Sequence, residues 1–206
     1  MKEKNIFFDL DGTLLDSRER LYKLFQHLVS DSRLSFNDYW NLKRNKISHK
    51  EILTTHFSYS LDDFNLFEQT WLRKIELPEW LSLVKPFEGV TDFLENLSKT
   101  HSLYLVTARQ FKDQALQQVS QYGWQHIFDE VCVTNGVQDK FELIASSVKT
   151  NATDWLVGDT GKDIQTGKKL GMKTAAVCSG FLSKEKLLEY KPDIIASSVT
   201  ELNFNA

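Results

Sequence analysis

Short apolar runs alternate along the chain with segments whose apolar residues recur at helical spacing. The apolar runs are mostly continuous rather than alternating, which is typical of strands buried on both faces of a parallel sheet. They lie at residues 5–9, 103–107, 130–134, 155–158, 173–178 and 193–196. Two of the intervening segments end at Gly123 and Gly171, as helices commonly do. The pattern predicts an α/β fold whose core is a doubly wound, Rossmann-like parallel sheet.

Residues 16–85 interrupt this alternation. Their apolar residues follow helical spacing in four patterns, around residues 21–28, 36–40, 47–57 and 61–77. A crossover between parallel strands rarely needs so much chain, so the segment is better interpreted as an insertion. Pro86 stops any preceding helix and marks the return to the sheet. We therefore predict a core formed by residues 1–15 and 86–206, and an all-helical cap domain formed by residues 16–85.

Composition narrows the possible partners. Among 206 residues, 25 Lys+Arg stand against 28 Asp+Glu, which gives a net charge of −3 without a basic run. This balance argues against nucleic acid or an anionic membrane as a partner, and the apolar stretches are too short to cross a bilayer. Cys132 and Cys178 lie in apolar runs, which suits buried thiols in a reducing compartment. We expect a cytoplasmic protein; the sequence does not indicate an oligomeric state.

Two predicted strands end in pairs of carboxylates. Asp9 and Asp11 follow the first strand, and Asp159 and Asp163 follow the fourth. Ligands of open α/β sheets bind at the carboxyl ends of strands, where clustered carboxylates require a cation. The alternative for Asp9 and Asp11 is a plain Asp-Gly turn, and Asp159 could merely cap the next helix. These acids are candidate metal ligands or catalytic groups.

Two further segments could hold an anion. Thr107, Ala108 and Arg109 end the second strand, where a hydroxyl and free backbone N–H groups can bind phosphate oxygens. Lys140 opens the helical run that follows the third strand and could supply a fixed positive charge. Taken singly, the threonine could be an ordinary strand residue and the lysine a solvated surface charge.

Taken in order, these segments resemble the haloacid dehalogenase superfamily of phosphohydrolases. Its pattern is DxDGT, then a hydrophobic run ending in Thr, then Lys, then GDxxxD, which correspond here to residues 9–13, Thr107, Lys140 and residues 158–163. The PFEGV segment at 86–90 and the GMKT turn at 171–174 resemble the phosphoglycolate-phosphatase-like branch. One departure is that Phe rather than Pro follows the motif lysine, which leaves Lys149 as a fallback.

The resemblance implies roles for the candidate acids. Asp9 would attack phosphorus and form an aspartyl-phosphate, and Asp11 would act first as general acid and then as general base. The cofactor would be Mg²⁺, held by the carboxylates of Asp9 and Asp159 and by the backbone carbonyl of Asp11. Asp163 would support the metal site indirectly, by a hydrogen bond to the water ligands of the metal or to Lys140.

The same resemblance implies which residues bind the phosphoryl group and the rest of the substrate. Thr107, the N–H of Ala108 and Lys140 would bind the phosphoryl oxygens. Arg109 is expected to contact substrate because its neighbours already lie at the site. Residues 44–48 could also bring a cation to an anionic substrate, or be a solvated basic turn. The cap aromatics are interpreted as the cap's own core rather than as a stacking platform; they are Phe36, Tyr39, Trp40, Phe57, Phe64, Phe67 and Trp71.

The leading hypothesis is a Mg²⁺-dependent phosphatase that acts on a small phosphorylated metabolite. A phosphomutase of the same superfamily is the first alternative, although the expected histidine is missing from the first cap helix near residues 17–22. A dehalogenase is disfavoured because such relatives lack an acidic residue at the position equivalent to Asp11. A phosphonate hydrolase would need a Schiff-base lysine in the cap, for which the sequence offers Lys23, Lys43, Lys46 and Lys50. A non-catalytic binding or regulatory protein on the same fold is the alternative from a different class.

Overall fold

The computed structural model describes residues 4–204. Its core is a six-stranded sheet in the order β5-β4-β1-β6-β7-β8, and every neighbouring pair is parallel. The strands are β1 (Asn5–Phe8), β4 (Ser102–Thr107), β5 (Glu130–Val133), β6 (Trp155–Gly158), β7 (Lys173–Val177) and β8 (Ile194–Ala196). Each lies within about a residue of a predicted run, so the α/β class with a parallel core sheet is confirmed.

Helices cover both faces of this sheet. They are α6 (Val90–Ser98), α7 (Lys112–Gln121), α8 (Lys140–Ser147), α9 (Gly161–Lys169) and α10 (Lys184–Leu188). Successive side chains of a strand point to opposite faces, and β1 shows the consequence. Phe8 packs in a cluster with Leu94 of α6 and Val119 of α7, whereas Phe7 packs with Ile144 of α8. A strand buried on both faces explains why its apolar run is continuous.

The insertion between β1 and α6 is helical. It contains α1 (Arg18–Leu28), α2 (Phe36–Arg44), α3 (His49–His56), α4 (Leu61–Lys74) and the single turn α5 (Pro78–Leu81). Helices α2, α3 and α4 begin at capping boxes, in which a serine hydroxyl accepts a backbone N–H and an acidic side chain three residues later accepts the serine N–H. The pairs are Ser35 with Asp38, Ser48 with Glu51, and Ser60 with Asp63.

The cap has a hydrophobic core of its own. Phe25 packs against Tyr39, Phe57 and Phe67, with ring centroids 4.8, 6.2 and 6.1 Å away. Phe36 stacks on Trp40 at 6.4 Å, and the other aromatic residues singled out in the cap belong to the same cluster. Their interpretation as core residues agrees with this packing.

A short antiparallel pair joins the cap to the core. Strand β2 (Leu15–Asp16) pairs with β3 (Lys85–Pro86), with Leu15 opposite Pro86 and Asp16 opposite Lys85. The expectation that residues 16–85 contain no strand is wrong at both ends, because Asp16 and Lys85 belong to this stem. Two-residue strands are too short to show any periodicity.

No helix within residues 4–204 is long and apolar enough to cross a membrane.

Candidate active site

The order of the strands brings the predicted site residues together. β1 lies between β4 and β6, so the residues that follow these three strands meet at one edge of the sheet. Asp9 follows β1, Thr107 ends β4 and Asp159 follows β6. All three are buried. They lie far apart in the sequence and become neighbours only through the parallel pairing.

Lys140 connects two of the acids. Its Nζ lies 2.5 Å from Asp9 Oδ1 and 2.6 Å from Asp163 Oδ1. Burial disfavours the charged ammonium, but the carboxylates of Asp163 and Asp9 outweigh it and raise the pKa of Lys140 above its usual value. Lys149 lies beyond the end of α8, so the motif lysine is Lys140 although Phe141 follows it.

Three carboxylates form a cluster that could hold a metal ion. Asp9, Asp159 and Asp163 each offer an oxygen within 4.8 Å of the others. Asp159 Oδ2 accepts the backbone N–H of Phe181 at 2.6 Å, whereas its Oδ1 is buried without a partner among the described residues. When all three carboxylates are ionised, they and one lysine carry a charge of −2, and hard oxygen ligands with an open lone pair suit a divalent cation such as Mg²⁺. The residues present therefore fit the ion.

The pKa values of these acids reflect their crowding. Burial, partly offset by Lys140 and reinforced by Asp163, raises the pKa of Asp9 to about 6. Burial and the charges of Asp9 and Asp163 raise the pKa of Asp159 well above its usual value. A bound cation would favour the ionised forms.

Asp163 differs from Asp159 in having partners for both oxygens. Its Oδ2 accepts the N–H and hydroxyl of Thr160 at 3.2 and 2.5 Å, which caps α9, while its Oδ1 accepts from Lys140. This arrangement suits a residue that positions Lys140 better than a direct metal ligand.

Two glycines let the chain approach Asp159 closely. A Cβ on Gly12 would lie 2.2 Å from Asp159 Oδ2, and one on Gly180 would lie 2.0 Å from the same atom. Gly12 also has φ of +90°, which side-chain-bearing residues rarely adopt. The loops after β1 and β7 can therefore enclose this carboxylate only because neither position carries a side chain.

Asp11 lies in a different electrostatic environment from Asp9. Arg109 donates two hydrogen bonds to the Asp11 carboxylate, from Nε to Oδ2 at 2.8 Å and from Nη2 to Oδ1 at 3.0 Å. Arg20 Nη2 lies 3.1 Å from Asp11 Oδ1. Burial alone would raise the pKa of Asp11, but the two guanidinium groups outweigh it and hold the pKa well below its usual range. The two carboxylates of the DxD segment thus have separate partners, a lysine and a pair of arginines.

The cap supplies two charged residues to which the sequence analysis assigned no role. Arg20 belongs to α1, and Glu76 lies between α4 and α5. Glu76 accepts the backbone N–H groups of Gln110 and Phe111 at 2.7 and 3.2 Å, which ties the cap to the loop after β4. Arg20 lies four residues before Leu24 on the buried face of α1. A charge on an apolar face of a helix is the signal that could have identified it.

One cavity of about 690 Å³ contains the whole site, between core and cap. The cap contributes Arg20, Ile75 and Glu76 to its wall. All the site residues predicted from the sequence line it: Asp9, Asp11, Thr107, Ala108, Arg109, Lys140, Asp159 and Asp163.

The turn after α2 serves another purpose than the one suggested. Arg44 Nη1 donates to the backbone carbonyl of Cys178 at 3.0 Å, and Lys46 Nζ donates to the hydroxyl of Tyr190 at 2.8 Å. Neither basic residue lines the cavity. The turn thus fastens the cap to the core, and the suggestion that it presents a cation to the substrate is not supported.

The sequence of the chain matches a known family over most of its length. The profile of the haloacid dehalogenase-like hydrolases matches residues 6–177. The chain belongs to this family. Among curated relatives, the pyrophosphatase PpaX of Halalkalibacterium halodurans is 24% identical, over 98% of this chain and 96% of that protein. The N-acetylmuramic acid 6-phosphate phosphatase of Pseudomonas putida is 28% identical, over 90% and 87%.

Solved structures share the fold. A haloacid dehalogenase-like family hydrolase from Streptococcus pneumoniae has a TM-score of 0.77 at 25% identity, over 95% of this chain and 94% of that one. A predicted phosphoglycolate phosphatase from Haemophilus somnus has a TM-score of 0.72 at 18% identity, over 96% and 95%. The family indicated by the four motifs is confirmed, as is the enzyme class, a phosphatase among these hydrolases. The branch indicated by residues 86–90 and 171–174 agrees with the curated relatives and with the shared fold.

Proposed function

We propose that the protein is a Mg²⁺-dependent phosphatase that hydrolyses a small phosphorylated metabolite through an aspartyl-phosphate intermediate. The observation that carries this proposal is the separation of the two DxD carboxylates. Asp9 lies in the acidic cluster with Lys140, as a nucleophile facing a phosphate needs, while Asp11 lies apart from it with the arginines. The two neighbouring carboxylates therefore have separate partners and can take separate roles. Because the arginines hold the pKa of Asp11 low while they contact it, its role as general acid requires that the substrate draw their charge away.

The first half-reaction forms a bond between an Asp9 oxygen and phosphorus and breaks the bond to the leaving oxygen. Asp11 delivers the proton that this oxygen needs as it departs. Thr107, the N–H of Ala108 and Lys140 balance the charge on the phosphoryl oxygens. In the second half-reaction water attacks the phosphorus of the acyl phosphate and the bond from phosphorus to the Asp9 oxygen breaks, which frees the Asp9 carboxylate and releases phosphate. Asp11 accepts the proton of the attacking water.

The acidic cluster would hold the ion. Asp9 and Asp159 would provide carboxylate ligands and Asp11 its backbone carbonyl, with Asp163 supporting through Lys140 or the ion's waters. Bound Mg²⁺ offsets the repulsion between the anionic nucleophile and the anionic phosphate. Without it, the three carboxylates and Lys140 leave an excess negative charge at the place where the phosphate must bind.

The cavity supports a small substrate. About 690 Å³ is the size of a metabolite site, and cap residues close one side of it. The relatives named above are a pyrophosphatase and an N-acetylmuramic acid 6-phosphate phosphatase. Pyrophosphate and N-acetylmuramic acid 6-phosphate are both compatible with a cavity of this volume, so both compounds belong in the substrate screen.

The test is phosphate release from p-nitrophenyl phosphate, pyrophosphate and a panel of sugar phosphates, with Mg²⁺ and with EDTA. We expect turnover only with Mg²⁺, weak support by Ca²⁺, and near-complete loss in Asp9→Asn, whose amide is almost isosteric but cannot attack phosphorus. Full activity in chelator, or in Asp9→Asn, would overturn the proposed mechanism. Conversion of a sugar phosphate to its isomer would favour the phosphomutase, and no turnover of any compound would favour a binding or regulatory protein.

A further inference from the structure

Two buried arginines at the site have donors without acceptors. The exposed fraction is 4% for Arg20 and 3% for Arg109. Arg20 Nε and Nη1, and Arg109 Nη1, are buried and have no hydrogen-bond partner among the described residues. Burying a charged donor without a partner is unfavourable, so such groups usually have an acceptor in the functional state.

The surrounding carboxylates do not satisfy these donors. Asp11 already accepts two hydrogen bonds from Arg109, and its Oδ1 is shared with Arg20. Glu76 contributes charge nearby, but its two oxygens accept the backbone N–H groups of Gln110 and Phe111. Three guanidinium nitrogens are therefore left for a group that residues 4–204 do not supply.

The position of the arginines indicates which part of a substrate they would meet. The transferred phosphoryl group belongs beside Asp9, Thr107 and Lys140. Asp11 must face the leaving oxygen to protonate it, so the groups gathered around Asp11 face the leaving group. Arg20 and Arg109 both contact Asp11 and both line the cavity.

We propose that Arg20 and Arg109 form a second anion-binding site, which receives a carboxylate or phosphate carried by the leaving group. The inference rests on the proposed phosphatase function and narrows its substrate to phosphate compounds with an acidic leaving group. Arg109 comes from the core and Arg20 from α1 of the cap, so one anion would bridge the two parts of the molecule. Arg20 is a specificity-determining residue in this account.

A purely structural role is the competing explanation, in which Arg20 only fastens the cap to Asp11. The two explanations differ in whether the charge of the leaving group matters. We would compare kcat/KM for two matched pairs at fixed Mg²⁺: 2-phosphoglycolate against ethyl phosphate, and pyrophosphate against methyl phosphate. The first pair tests a carboxylate and the second a phosphate as the second anion.

Arg20→Gln should lower kcat/KM for the preferred acidic substrate by roughly 10- to 100-fold, the range of a hydrogen bond to a charged group. It should lower kcat/KM for the neutral substrate of the same pair by less, because both substrates share any effect that the loss of Arg20 has on Asp11. Arg18→Gln is the matched control, because Arg18 lies in the same helix but pairs with Asp16 at 2.6 Å and does not line the cavity. Equal losses for acidic and neutral substrates in Arg20→Gln, or no wild-type preference in either pair, would overturn the second anion site while leaving the phosphatase intact.

Binding of inert phosphonates tests the site without turnover. Calorimetry would compare 3-phosphonopropionate with propylphosphonate, and methylenediphosphonate with methylphosphonate. In at least one pair, the wild type should bind the compound that carries the second acidic group more tightly, by roughly 10-fold or more, and Arg20→Gln should lose that difference. A difference that survives in Arg20→Gln would overturn the inference even if the protein proved to have no phosphatase activity.

Discussion

Removal of the Lys140 ammonium tests the charge balance of the acidic cluster. Lys140→Met keeps most of the aliphatic chain but takes away the group that contacts Asp9 at 2.5 Å and Asp163 at 2.6 Å. Lys140 and both carboxylates are largely buried, with side-chain exposures of 11%, 9% and 2%. The variant would leave three carboxylates within 4.8 Å of one another without a neutralising side chain.

The magnitude follows from Coulomb's law and from known ion-pair losses. Two like charges 4.8 Å apart repel by about 3.5 kcal/mol at an effective dielectric constant of about 20. Removing one partner of a buried ion pair costs about 3–5 kcal/mol, and protonation of a carboxylate limits further loss. We expect the free energy of unfolding of Lys140→Met to be about 3–5 kcal/mol lower than that of the wild type at pH 8 in EDTA. In a chain of this size, such a loss lowers the melting temperature by about 10 °C.

The assay is urea unfolding followed by tryptophan fluorescence, with EDTA and with Mg²⁺. Mg²⁺ should reduce the difference from the wild type, because a divalent cation replaces the missing charge. The variant should also recover part of its stability as pH falls from 8 to 5, because Asp9 and Asp159 have raised pKa values and gain protons in the folded state. Lys162→Met, which removes an exposed cation from the same cavity, should change stability by less than about 0.5 kcal/mol. A loss below about 1 kcal/mol in EDTA, or an equal effect of Mg²⁺ on Lys140→Met and wild type, would refute the reasoning.

Three further predictions concern other parts of the molecule. Asp11→Asn should lower kcat/KM more for an alkyl phosphate than for p-nitrophenyl phosphate, whose leaving group needs no proton; equal losses would mean that the acid lies elsewhere. Gly180→Ala should raise the Mg²⁺ concentration for half-maximal activity, because its Cβ would displace Asp159, and an unchanged metal titration would contradict that. Burial and the charge of Lys43 lower the pKa of His49 to about 3. Below about pH 6.5, His49 is therefore protonated in the unfolded chain but stays neutral in the folded cap. The contribution of His49 to stability should therefore fall by about 2 kcal/mol between pH 7 and pH 5, while the raised pKa values of Asp9 and Asp159 act in the opposite direction. Urea titrations of wild type and His49→Gln should show this as a change in the difference between the two proteins, and a difference that does not depend on pH would contradict it.

The core was predictable because its signals are local. A strand such as β1 must be apolar on both faces to lie inside a parallel sheet, and that requirement is visible in three adjacent residues, Ile6, Phe7 and Phe8. The helices carry their own start signals, as the serine-acid pairs of the cap show. The β2–β3 stem was missed because its pairing joins Asp16 to Lys85 across the whole cap, and nothing within either two-residue strand indicates it.

The candidate site divides in the same way. The acids and the motif lysine were named from their places at strand and helix ends, because the type of residue at the end of a buried strand is local information. Their contacts depend on the strand order, which sets Asp9 between Thr107 and Asp159. The environment of Asp11 was decided by tertiary structure alone, because Arg20 reaches it only when α1 packs over the core. Sequence spacing gives the position of a residue along a helix, but the contact it makes across a domain boundary depends on how two separately folded surfaces meet.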